Sequence, residues 1–303
     1  MDYTLFWCLT FVFYCWHILG VTVGLHRLLS HRAFKCHKLV EYFFVFGAYL
    51  AYEGAPIWWA TIHRTHHRYV DTPLDPHSPR QGIAHAFFFY RDFKYPAHMS
   101  PEKQCPDLMK DPIYVWLEQG KDWKLGYAKC VAINLLFRSI LFYCFGWECM
   151  LASFLGGFLA WNVPLILNIV CHIPSLGYKN FHIKDDSVNN HLFAFLAMGD
   201  GWHNNHHAFP GSSQMGVKKH EFDMSWFVLK CLQKVGLVYY INESISNKAE
   251  DLAIAQADVT KGVSPDDESR EAASRAHSAA RARVKRRKLA GSAAASSSSK
   301  MEV

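Results

Sequence analysis

The chain has 303 residues, of which 50% are apolar and 15% aromatic, with a formal net charge of +6, and its mean hydropathy is a neutral −0.04. These values fit apolar membrane helices averaged with a polar catalytic part and a polar tail, which is one domain plus an appendage for a chain of this length. Nine cysteines follow no CxxC or CxxxC pattern, and Cys8, Cys15, Cys130, Cys144, Cys149 and Cys171 sit in apolar runs as small hydrophobes, which excludes a disulfide-stapled secreted scaffold.

The first element, about Tyr3 to Leu25, carries no charge and only His17. It reaches the length of about 17–25 residues that a membrane helix needs. No small-residue cleavage site precedes the basic stretch that follows, so it reads as a retained membrane helix and not a cleaved leader. The apolar stretch Tyr42 to Tyr52 is too short to cross, at about 11 residues against the usual 20. It lies between two histidine clusters, and a crossing there would put them on opposite sides of a membrane. Residues 39–60 are therefore expected in the plane of the interface, with Trp58 and Trp59 at headgroup depth.

Two further apolar spans follow, 128–147 with Arg138 inside it and 150–171 interrupted by Pro164. Only Glu148 and Cys149 separate them, which predicts a tight helical hairpin that returns the chain to the same face. Arg27, Arg32, Lys35, Lys38, Arg64 and Arg68 crowd that face, and the positive-inside rule makes it cytosolic. Residues 1–247 form the membrane domain. Residues 248–303 are nearly free of aromatic and large aliphatic side chains and read as a disordered tail. Its basic block RARVKRRK, Arg281 to Lys288, is a solvated segment or one drawn to anionic lipid. No nucleic-acid partner is expected.

Eighteen histidines are present, and nine of them carry the chemistry. HRLLSH supplies His26 and His31, HRTHH supplies His63, His66 and His67, NIVCH supplies His172, and HNNHH supplies His203, His206 and His207. The two HxxHH motifs place i, i+3 and i+4 on one helical face. The five-residue spacing of HRLLSH subtends about 140° on an ideal helix, so its rings converge only if the helix ends or bends near Leu29 and Ser30. Asn168, one helical turn before His172, could hold a water ligand. His17, His37, His98, His182, His191, His220 and His277 stand alone and read as ordinary surface or core residues; His77 and His85 are left unassigned.

Imidazole binds mid-row transition metals while neutral near pH 7. Nine rings exceed the four that close one zinc site, so two ions are expected. Hydrolytic zinc chemistry needs a general base like the Glu of HExxH, and no clustered histidine has such a neighbour. Haem takes one or two axial residues and would leave the rest unexplained. Two irons that activate dioxygen account for the ligand number.

GLHRLLSHRAF, HRTHHRYVDTPLDPHSP and GDGWHNNHHAFP, with NIVCH, GAPIWW and EFDMSWFVLKCLQKVGL, resemble the membrane delta-9 fatty acyl desaturases over roughly residues 18 to 240. The resemblance implies an all-α integral membrane protein, a bundle of four membrane helices under a cytosolic helical cap, with one helix preceding residues 3–25. It implies a di-iron centre held by His26, His31, His63, His66, His67, His172, His203, His206 and His207, with Asn168 acting through a water. The implied reaction places a cis double bond, of delta-9 type, in a saturated acyl chain carried by CoA or a lipid. Dioxygen is the co-substrate, and a separate b-type cytochrome or ferredoxin supplies two electrons, since no HPGG motif marks a fused one. In a eukaryotic cell the endoplasmic reticulum membrane is the expected location. Trp59, Glu53 and Leu165 are implied to line the acyl tunnel; Pro164-Leu165 replaces a usual Thr-Trp pair, and Glu53 a common Gln. Two other readings share the histidines: a di-iron hydroxylase that rebounds oxygen onto carbon, and an inactive membrane scaffold.

Overall fold

The computed structural model describes residues 3–90, 95–118 and 123–245. The expected tail, with its basic block, lies outside the described residues. The protein is mostly helical. Helix α1, Tyr3–Leu19, runs without a break into a π-helical segment, Gly20–Ser30. There follow strand β1, Phe34–Cys36, helices α2, Lys38–Tyr49, and α3, Pro56–Tyr69, and the short helices α4, Ile83–Phe88, α5, Pro101–Gln104, and α6, Pro112–Glu118. The long α7, Trp123–Val170, leads to α8, His191–Leu196, α9, His203–Ala208, α10, Met224–Lys234, and β2, Val238–Ile241.

Two stretches, Tyr3–Ser30 and Lys124–Val170, are helical, long and apolar enough to cross a membrane. The second is not straight. At Gly146 the backbone leaves helical geometry with φ 86°, and Arg138 Nη2 reaches Ser153 O at 3.4 Å. Along an unbroken helix those residues would stand about 22 Å apart, so the chain turns back on itself. The reversal lies at Gly146, where a positive φ is free of steric cost, and not at the expected Glu148–Cys149.

The first helix ends at Ser30, with His31 as its C-terminal cap, where the sequence placed an end or a bend. What the sequence did not show is that its last turns widen into a π-helix: His31 N donates to His26 O at 3.1 Å across five residues, and the Ser30 side-chain hydroxyl donates to Leu25 O at 2.8 Å. An i→i+5 ladder stacks residues five apart, and so brings the two histidines of HRLLSH together. The segment 39–60 divides into α2 and the start of α3, and Trp58 and Trp59 border an internal cavity.

Close backbone approach holds the first helix to its neighbours. A Cβ on Gly20 would lie 2.3 Å from Ala48 N in α2, and one on Gly156 of α7 would lie 2.8 Å from Tyr14 N. Val21, Val23, Leu25, Phe44, Ile57 and Leu229 gather into the main apolar core. Strands β1 and β2 pair antiparallel, Phe34 against Ile241, which ties the chain after α10 to the residues just past His31. Beneath them Arg27, 0% exposed, donates to Asp223 at 3.0 Å and Asp200 at 2.9 Å. A buried guanidinium persists only with such partners.

Candidate metal centre

Four separate stretches deliver the nine clustered histidines to one place. The π-helical segment brings His26 and His31. Helix α3, started by Pro56 in its first turn where the missing N–H costs nothing, brings His63, His66 and His67. His172 follows the end of α7, and α9 brings His203, His206 and His207. They sort into two groups whose ligand atoms lie within 4.8 Å of one another: His26, His31, His63, His67 and His206 in one, and His66, His172, His203 and His207 in the other. Each HxxHH motif divides the same way. Its i and i+4 rings, His63 with His67 and His203 with His207, enter one group, while the i+3 ring crosses to the other.

The nitrogens face one another at short range. Nε2 to Nε2 distances are 3.0 Å for His26–His206, 2.8 Å for His31–His63, 3.1 Å for His67–His63 and 2.9 Å for His206–His67. In the second group they are 3.2 Å for His172–His203 and 3.1 Å for His207–His203. The opposite edges of four rings meet carboxylates: His26 Nδ1 on Asp200 at 2.6 Å, His66 Nδ1 on Asp75 at 3.0 Å, His172 Nδ1 on Asp71 at 3.2 Å and His207 Nδ1 on Asp185 at 3.2 Å. An ionised carboxylate can only accept. Each of these rings therefore donates its Nδ1–H outward and turns the Nε2 lone pair inward.

Electrostatics keep six of the rings neutral. Burial first, then the neighbouring imidazoles, push His31, His63, His67, His203, His206 and His207 well below the usual histidine range. Burial pushes the Asp71 carboxyl up, but its interactions with His172, the Asp186 amide and Ser78 together outweigh burial and bring the group down to about 2. Asp75 is likewise pushed up by burial, and the hydrogen bonds it accepts from His66 and the Asp71 amide are among several interactions that together bring it lower still. Converging lone pairs with anionic carboxylates behind them repel one another unless a cation lies between. His66 Nε2 shows the same want: it is buried without a hydrogen-bond partner. Two divalent ions ligated by nitrogen fit this donor set.

A cavity of about 280 Å³ opens beside both groups and is bordered by His26, His63, His66 and His203. The rest of its wall is mainly apolar and aromatic. The three expected substrate-lining residues, Trp59, Glu53 and Leu165, all border it, and so does Asn168. Asn168 does not join the nitrogen groups; its Nδ2 donates to His77 O at 2.9 Å. His77 itself stacks on His66 with ring centroids 4.6 Å apart, and burial pushes it down to about 3.

The family model for fatty acid desaturases matches residues 3–229 of this chain. The chain belongs to that family. It is 35% identical to the acyl-CoA C20 Delta5-desaturase of Anemone leveillei, over 77% of this chain and 72% of the relative. It is 33% identical to the sn-1 stearoyl-lipid 9-desaturase of Anabaena variabilis, over 72% and 77%. It is also 33% identical to delta-9 acyl-lipid desaturase 2 of Arabidopsis thaliana, over 75% and 72%. Acyl desaturation is common to these relatives, and makes the family member an oxidoreductase. Their double-bond position and acyl carrier differ.

Sequence reasoning passed over the four aspartates and left His77 unassigned. A signal existed: Asp71, Asp75 and His77 follow HRTHH within DTPLDPH, and Asp200 precedes HNNHH within GDG. Ligating histidines commonly donate their second N–H to a carboxylate, so acids flanking a histidine box deserve the same scrutiny as the box.

Proposed function

We propose that this chain is a membrane-bound di-iron acyl desaturase that inserts a cis double bond, of delta-9 type, into a saturated chain carried by CoA or a glycerolipid. One observation carries the reading: two groups of inward-facing imidazoles border an apolar cavity in a member of the fatty acid desaturase family.

Iron would be held by His26, His31, His63, His67 and His206 on one side and by His66, His172, His203 and His207 on the other, with Asn168 acting through a water. When bound, the metal pair supplies the reduction of dioxygen to water, coupled to removal of two hydrogens from adjacent carbons and uptake of two external electrons. The protein's own residues set the conditions. Asp71, Asp75, Asp185 and Asp200 fix the ring orientations and the tautomer. Trp59 stacks on His63 at 5.0 Å and forms part of a wall that excludes water around a bound chain. Leu165 stands on the α7 side of the same wall.

Exposed Tyr3, Trp7 and Phe11 on α1, with Leu135, Phe142 and Phe145 on α7, support placing both helices in lipid. In the same reading the histidine face is cytosolic, in the endoplasmic reticulum membrane of a eukaryotic cell, and a separate b-type cytochrome or ferredoxin brings the electrons.

Expression of the full chain in a desaturase-deficient host, followed by gas chromatography and double-bond mapping, tests the proposal. A new cis-alkenoic acid that disappears in His206→Ala supports it. A hydroxy acid instead would make the chain a hydroxylase, and neither product would leave a scaffold.

A further inference from the structure

The cavity wall is apolar, yet two carboxyl groups border it, Glu53 and Glu118. A buried carboxyl is costly unless something meets it. Glu118 is fully met: Oε2 accepts from Trp58 N at 2.9 Å and Oε1 from the Tyr95 hydroxyl at 2.9 Å. Glu53 is not. Its Oε2 accepts from Trp59 Nε1 at 3.0 Å, but Oε1 is buried with no partner, and the residue is only 6% exposed.

The side chain has little freedom to escape. Tyr52 and Gly54, on either side, both have positive φ, 62° and 86°, and Tyr52 adopts that conformation at a cost. A turn strained to place a half-satisfied acid at the wall of an apolar cavity suggests that the missing partner comes from the cavity's occupant.

We propose that Glu53 is a hydrogen-bonding subsite for an oxygen atom carried part-way along the acyl chain, so that the protein selects a hydroxylated acyl substrate over the unsubstituted one. This rests on reading the cavity as the acyl site. Burial pushes the Glu53 carboxyl up to about 8, so near neutral pH it is an acid O–H. With Trp59 donating to one oxygen, the other carries the proton and can donate to a substrate hydroxyl. A plain methylene chain leaves that donor unpaired, and a site built to hydrogen-bond a substrate group discriminates against the analogue that lacks it. The Trp59 ring, stacked on His63, stands between Glu53 and the imidazole groups. The substituent would therefore lie near the carbons undergoing dehydrogenation.

The test uses the purified, iron-loaded full chain in detergent. Its dissociation constant is measured for stearoyl-CoA and for a series of hydroxystearoyl-CoA esters in which the hydroxyl moves one carbon at a time. At one or two positions the hydroxy ester should bind about tenfold more tightly, the scale of one buried hydrogen bond. Glu53→Gln, which keeps a donor, should retain most of that preference, and Glu53→Met, similar in volume but apolar, should bring the ratio near one. Iron content reports whether each variant is folded. A flat series in the wild type overturns the proposal whether or not Glu53→Met folds, and so does an undiminished preference in Glu53→Met. Alkene formation without the binding preference sinks the subsite alone; the preference without alkene sinks the desaturase reading and leaves the subsite standing.

Discussion

Asp200 accepts from His26 Nδ1 at 2.6 Å through one carboxylate oxygen and takes Arg27 Nη2 at 2.9 Å on the other. The chain neighbours His26 and Arg27 are thus fixed by a single acid from the turn before α9. Arg27 also pairs with Asp223, so the anchor reaches the start of α10. One carboxylate positions a ring of the metal-binding group and locks three distant parts of the sequence together.

Asp200→Asn should therefore weaken metal retention before it unfolds the protein, because Arg27 keeps Asp223. Loss of such a carboxylate partner typically costs roughly 10–100-fold in metal affinity. Titration of iron-loaded protein with a chelator measures this. Unchanged retention would show that Asp200 serves only Arg27.

The approach of the π-helical segment to α2 depends on Gly20. A Cβ there would lie 2.3 Å from Ala48 N and 2.6 Å from Phe44 O, both backbone atoms that cannot step aside. Gly20→Ala should cost about 3 kcal/mol, the upper end for overpacking, and displace His26 and His31. Gly82→Ala is the control: its φ of 111° is strained, but nothing lies within 4 Å, so only about 1 kcal/mol is expected. Thermal unfolding of the two variants in detergent should rank them in that order, and equal losses would deny the close packing.

Glu118 gives a pH dependence with a definite sign. Burial outweighs its hydrogen bonds with Tyr95 and the Trp58 amide and raises the group from 4.5 to about 8. In the unfolded chain it releases its proton above about pH 4.5, whereas in the fold it stays protonated to about 8. The unfolded state binds fewer protons across that window, so this group's contribution to stability falls as pH rises. The buried neutral histidines act in the opposite sense below their unfolded range, so the informative quantity is a difference. Glu118→Gln, with the Tyr95 hydroxyl turned to accept from the amide, should gain melting temperature relative to wild type between pH 5 and 8. A difference that does not change with pH would show the group ionised in the fold.

How much of this was legible in the sequence differs by residue. Six of the nine clustered histidines were plain, because spacing in HxxHH maps directly onto a 3.6-residue turn; His26 and His31 were marked by HRLLSH, and His172 only by its place in NIVCH. The route by which His26 and His31 meet was hidden, since a π-helix has no periodic signature in an apolar run and the i→i+5 ladder depends on packing against α2. The reversal in α7 was expected two residues late. Polarity marked Glu148, but backbone freedom placed the turn at Gly146. Asp71, Asp75 and Asp185 escaped because an aspartate in a loop is ordinary until its partner is known. Glu53 was legible as a wall residue, while its unpaired oxygen is visible only once Trp59 and the strained turn are in place.

The central claim is that imidazoles from four separate stretches cage two metal ions in two distinct groups. Iron per folded chain, measured on purified protein loaded under reducing conditions, tests it most directly. About two irons are expected in the wild type, and about one in both His31→Ala, which breaks the first group, and His172→Ala, which breaks the second. A folded wild type that binds one iron or none at saturating metal would contradict it.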